Sequence, residues 1–227
     1  MQYLVFALFV AILLGVFGLS FYFAAKRRKA LMQWAAAKGL SFSRNKDSAM
    51  ERRFAAFQCL RQGSHRYAYN IMEGKWSGRP ITAFDYHYQT ESRDSKGKHQ
   101  THHHHFSAVV LHSLVPLKPL FIRPESFFDK ITEFFGLEDI DFESAEFSRK
   151  FFVKAEDRKW AYDVIHTRTM QFLLDKPQFT IQFDPEQVIA YRSSKFKPAQ
   201  FEEATEVVRG VLDLLPDYLV KEMKGEG

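Results

Sequence analysis

The chain has 227 residues, a formal charge of +5 and one cysteine. Lys26, Arg27, Arg28 and Lys29 supply four of those charges and leave 28 of the 32 basic side chains against 27 acidic ones, so the remainder lacks the basic excess of a nucleic-acid binder. Cys59, alone, excludes an intrachain disulfide and a multi-cysteine zinc site and fits a reducing compartment.

From Tyr3 to Ala25 the side chains are uncharged and almost wholly apolar, ending at the basic collar Lys26-Arg27-Arg28-Lys29. As a helix this stretch would reach ~35 Å, enough for a hydrocarbon core of about 30 Å. It reads as a transmembrane anchor over residues 1–25. A cleaved signal peptide would need a basic start and a shorter apolar core. The collar sets the amino terminus outward and the domain in the cytoplasm, at an inner membrane, and offers Lys26, Arg27, Arg28 and Lys29 to anionic headgroups. Ala7, Ala11 and Gly15, with Gly18 continuing their face, form a small-residue ridge suited to a homodimer.

Residues 26–45 read as a basic helix and linker. Ala30 to Lys38 are strong helix formers stopped at Gly39, with Trp34 at a membrane interface or docked on the domain. Residues 46–136 form a meander-rich half, opened by a short helix around Ser48 to Phe57 that Asp47 caps. Tyr67–Glu73 and Arg79–Tyr88 predict strands joined across Gly74–Gly78, Gln89–Gln100 a polar loop, and His102–His112 a third strand returning antiparallel. Leu117–Ile122 reads as a strand bounded by prolines, and Glu125–Phe135 as a helix with a phenylalanine face. Residues 137–227 form a second half, within one domain or as another. An acidic linker leads to a strand at Glu146–Lys154 and a helix at Lys159–Leu174. A hairpin of Gln178–Phe183 and Val188–Arg192 follows, then a helix from Pro198 that Pro216 interrupts. The class is α+β: one transmembrane helix, then a mainly antiparallel sheet domain with about four to five helices.

The succession Phe142 to Val153, then Asp157, Tyr162, Met170 and Leu173, then Ile181-Gln182-Phe183 and Val188-Ile189-Ala190, resembles a family of bacterial membrane-tethered proteins of unknown function. The resemblance covers residues 117–196. It implies a bacterial source, a membrane tether and a cytoplasmic domain, and carries no catalytic residues.

The conspicuous constellation is His102-His103-His104-His105. On a strand His102 and His104 face one way, His103 and His105 the other. Either pair approaches Asp85 and His87 of the preceding strand, a donor set suited to zinc or a similar divalent metal. A stacked polar sheet face with Tyr86 and Tyr88, or a surface titrating near pH 6.5, accounts for the same residues. No phosphate-binding glycine loop, nucleophile elbow or helical zinc motif occurs. Cys59 with His65, Asp163 with His166, and Glu138, Asp139 and Asp141 offer only generic polar groupings. The function expected is a binding or scaffold module for a protein or membrane component, with no catalytic residue and no cofactor. The alternative is a metal-dependent enzyme or metal-binding protein built on the histidine strand.

Overall fold

The computed structural model describes residues 2–93, 97–125 and 139–225. Helix α1 (Gln2–Ala37) leads into a sheet of eight strands. The strands are β1 (Ser41–Ser43), β2 (Ser64–Trp76), β3 (Arg79–Arg93), β4 (His99–His112), β5 (Leu120–Pro124), β6 (Phe151–Ala155), β7 (Thr180–Phe183) and β8 (Gln187–Arg192). Their spatial order is β1-β2-β3-β4-β8-β7-β5-β6, every pair antiparallel. The β4–β8 pairing joins the 46–136 and 137–227 halves in one sheet.

Among the described residues no helix is long and apolar enough to cross a membrane. The transmembrane anchor, and the single-pass membrane arrangement drawn from it, are corrected accordingly. Helix α1 continues through the basic collar, as expected, and docks on the sheet. Arg27, Leu31 and Ala35 recur every fourth residue and so share one stripe; Leu31 and Ala35 are fully buried. Gly39, at a backbone φ of +69°, supplies the left-handed turn that ends the helix. Trp34 docks on the domain, stacked on Phe201 and donating to the Glu202 carboxylate.

Seven α-helices occur among the described residues, so six follow α1, against the four to five expected after the first helix. Besides α1 they are α2 (Met50–Arg53), α3 (Ala145–Lys150), α4 (Arg158–Val164), α5 (Thr167–Leu174), α6 (Pro198–Asp213) and α7 (Asp217–Lys224). The expected Lys159–Leu174 helix is two, because the His166 imidazole caps a new start at Thr167. Glu146–Lys150, expected as strand, is helix capped by the Ser144 hydroxyl. The helix expected at Glu125–Phe135 falls almost wholly outside the described residues.

Alternation along β3 and β4 builds two layers. Ile81, Ala83, Val109 and Leu111 face the larger core with α6 and the second half of α1. Phe84, Tyr86, Phe106, Ala108 and Val110 face a smaller core under Met50, Phe54, Phe57 and Leu60. The β2–β3 turn is tighter than expected: Ser77 and Gly78, both at positive φ, form a two-residue turn with Trp76 inside the strand. The 89–100 stretch, expected as loop, is largely strand, Gln89–Arg93 pairing with His99–His103.

Candidate functional site: a buried clasp and a histidine face

Asp85 follows Ile81 and Ala83 on the core-facing side of β3, so its carboxylate points into the layer where α1 docks. It is fully buried. A buried carboxylate is tolerated only when paired and hydrogen-bonded, and here every donor is present. Arg27 donates Nη1 to Oδ2 and Nη2 to Oδ1, each at 2.7 Å. Asn70 Nδ2 donates to Oδ2 at 2.8 Å and Ser107 Oγ to Oδ1 at 2.5 Å.

The ring then closes. Arg27 also donates Nε and Nη2 to the Phe196 carbonyl at 2.9 and 2.6 Å, and the Phe196 N–H donates to Ser107 Oγ at 2.8 Å. Five elements are thereby fastened at one point: α1, β2, β3, β4 and the segment entering α6. Asn70 reaches the carboxylate because it sits in a bulge of β2 at a φ of +49°, a left-handed conformation that asparagine accepts. Arg27, expected at anionic headgroups, is instead turned into the protein; Lys26 and Lys29 are exposed and Arg28 is half-buried.

Beyond Asp85 the same sheet face carries His87, His103 and His105. Pairing of His87 with His105 and of Gln89 with His103 sets the register that the sequence leaves open, and the odd-numbered imidazoles are the ones that gather. His87 Nδ1 lies 3.1 Å from the His65 carbonyl, and its Nε2 3.1 Å from His103 Nδ1. A carbonyl only accepts, so His87 carries its proton on Nδ1 and accepts at Nε2 from His103. Burial pushes the Tyr69 hydroxyl well above the ordinary phenol range, so it stays protonated and donates to His105 Nδ1 at 3.1 Å. Burial also lowers the proton affinities of His87 and His105, helped by neighbouring imidazoles and by Lys46 and Lys195 respectively. The Tyr67 ring stacks on His87 at 4.6 Å.

His102 and His104 lie on the opposite face. His104 stacks on Tyr88 at 4.6 Å and bonds Thr90, and His102 bonds Ser92. The Asp85 carboxylate is taken up by the guanidinium, amide and hydroxyl, while His87, His103 and His105 lie beyond it on the same face. Among the described residues no group of three or more histidine, cysteine, aspartate or glutamate side chains is arranged to hold a metal ion.

The generic pairs separate too. Cys59 is buried in the smaller core while His65 is exposed. Asp163 accepts from Tyr218, and His166 meets the Leu214 carbonyl. Asp139 accepts from the Val153 N–H, and Glu138 lies outside the described residues. Sequence reasoning missed Arg27, Asn70 and Ser107 as partners of Asp85. The available signal was the four-residue spacing of Arg27 with Leu31 and Ala35, which puts a cation on a core stripe opposite the strand that carries Asp85.

The fold has a solved counterpart. The crystal structure of the mycobacterial trehalose monomycolate transport factor A, TtfA, superposes with a TM-score of 0.61 at 13% identity, covering 83% of this chain and 94% of that one. At that identity the likeness is one of fold alone. No protein-family model matches the chain, and no curated protein does.

Proposed function

We propose that the chain is a non-catalytic binding or scaffold module for a protein or membrane component. One observation carries the reading: the protein commits a buried carboxylate and arginine to fixing α1, and leaves the far part of that helix uncovered. Tyr3, Phe6, Phe9, Phe17, Phe21 and Phe23 are between 58% and 90% exposed. Large apolar side chains exposed together along one helix mark a contact with another molecule. The best acid and base candidates are engaged in structural bonds, which fits presentation of a surface better than turnover. The likeness in fold to a transport factor agrees with such a role. A homodimer through Ala7, Ala11 and Gly15 is a further proposal; Ala7 and Ala11 have side chains outside the described residues, and at Gly15 no atom lies within 4 Å of where a Cβ would stand.

Photo-crosslinking in living cells tests the reading. A photoreactive residue at Phe17 or Tyr22 is expected to give a discrete protein or lipid adduct, and one at the exposed Tyr218 on α7 none. Equal labelling at all positions, or robust turnover by purified protein, would overturn it.

A further inference from the structure

Strand β4 has β3 beside it from His99 to Leu111, but its other edge pairs with β8 only from Ser107 to His112. Among the described residues no strand lies beside His99 to Phe106 on that edge. The Ser107 and Ser113 N–H groups point to this side, bonding the carbonyls of Ser194 and Glu186. Backbone direction alternates along a strand, so Thr101, His103 and His105 turn their N–H and C=O groups outward onto the open edge.

Sheet edges are ordinarily blunted by proline, lysine, bulges or shortness. None of these protects His99 to Phe106: the segment contains no proline and no lysine, and its register with β3 runs from Leu111 to His99 without a shift.

A cavity of about 300 Å³ opens where β8 stops, lined by His103 to Phe106 together with Tyr88 and Ser193. Consecutive residues face opposite sides of a strand, so a cavity touching all four lies against its edge as well as under one face. No carboxylate occurs from Lys98 to Pro124, and Lys195 is close enough to His105 to oppose its protonation. A strand laid along this edge would therefore meet imidazoles, an ammonium group and an aromatic cavity.

We propose that the open edge of β4 takes an extended acidic segment of a partner protein as an added strand. Its acidic residues meet the Nε2–H of His105 and the Lys195 ammonium, and the alternate apolar residues enter the cavity beside Tyr88 and Phe106. Main-chain bonds supply affinity and the alternating side chains supply selectivity, the usual division in strand addition. A second copy of this chain fits less well, since it would set histidine against histidine with no carboxylate between them. The proposal rests on the binding-module reading and names the partner's chemistry at one site.

The test is selection of displayed twelve-residue peptides on the full chain in detergent micelles, followed by binding measurements with the synthesised winners. Winners are expected to alternate acidic and apolar residues and to slow amide exchange at His103 and His105. H103P, which removes one outward N–H and spares the β3 ladder, should weaken binding at least tenfold. H103A, which keeps that N–H, should change it less than threefold. Thr101→Pro gives a second proline variant, should the first unfold.

Winners without that alternation, or equal binding by H103P and H103A, would overturn the proposal. So would the absence of any winner, or self-association abolished by H103P. If peptides fail while crosslinks from Phe17 or Tyr22 persist, the edge proposal falls and the binding-module reading stands.

Discussion

Removing the Asp85 carboxylate while keeping Arg27 would strand a largely buried guanidinium and leave Asn70 and Ser107 without their acceptor. Breaking one side of such a pair costs about 3–5 kcal/mol, whereas replacing both partners with apolar groups is often close to neutral. Asp85→Ala and Arg27→Ala are therefore each expected to lower unfolding free energy by that amount. Arg27→Met with Asp85→Leu should lose far less than the sum. Urea unfolding of the four proteins checks this, and additive losses would refute the coupling.

His87 and His105 make a second prediction at this scale. Both bind protons less readily when folded, so the unfolded chain takes up more protons as pH falls through about 6.5. Stability should accordingly be full near pH 7.5 and decline below pH 6.5. Burial is the main cause, and a proton on His87 Nε2 would also face the N–H of His103. His87→Gln should flatten the decline measured by thermal unfolding between pH 5.5 and 7.5.

At the scale of elements, the β3–β4 pair is anchored where Gly63 meets the turn into β2. Gly63 has a φ of +60°, and a Cβ there would stand 2.0 Å from the Gln89 carbonyl oxygen. Gly63→Ala is expected to cost about 2–3 kcal/mol through overpacking and left-handed strain, read as a lowered urea midpoint.

The same elements show what periodicity can and cannot reveal. The hairpin of β7 and β8 is legible because Phe179, Ile181 and Phe183 alternate with polar residues before Asp184-Pro185. The break at Pro216 is legible because proline lacks the N–H a helix needs. Gln89–Gln100 is not, since strands projecting past the sheet have no apolar face to advertise them. The split at Ile165–His166 is hidden too, for the imidazole acts as a cap only in a geometry no spacing encodes. Among site residues, the separation of His102 and His104 from His103 and His105 follows from alternation. The choice of the odd pair needed the register with His87.

For the whole molecule, α1 belongs to the domain that it enters. Deleting residues through Lys29 would take Arg27 away and leave Asp85 buried without its cation. Such a truncation is expected to be less stable than the full chain by an amount similar to Arg27→Ala, measurable by urea unfolding. By contrast, Phe17→Ser with Phe21→Ser should leave unfolding of the sheet domain unchanged while reducing association through the helix, because both rings are exposed. These two outcomes separate the half of α1 that holds the domain together from the half that is presented.

The central claim is that the Arg27–Asp85 clasp holds an apolar helix ready for a partner. The most direct measurement is the yield of photo-crosslinks from Tyr22 in wild type, Arg27→Ala and the Arg27→Met/Asp85→Leu pair, at equal protein levels. The account predicts a discrete adduct in wild type, a severalfold loss in Arg27→Ala, and substantial recovery in the pair. An adduct indifferent to the clasp, or none in any of the three proteins, would contradict it.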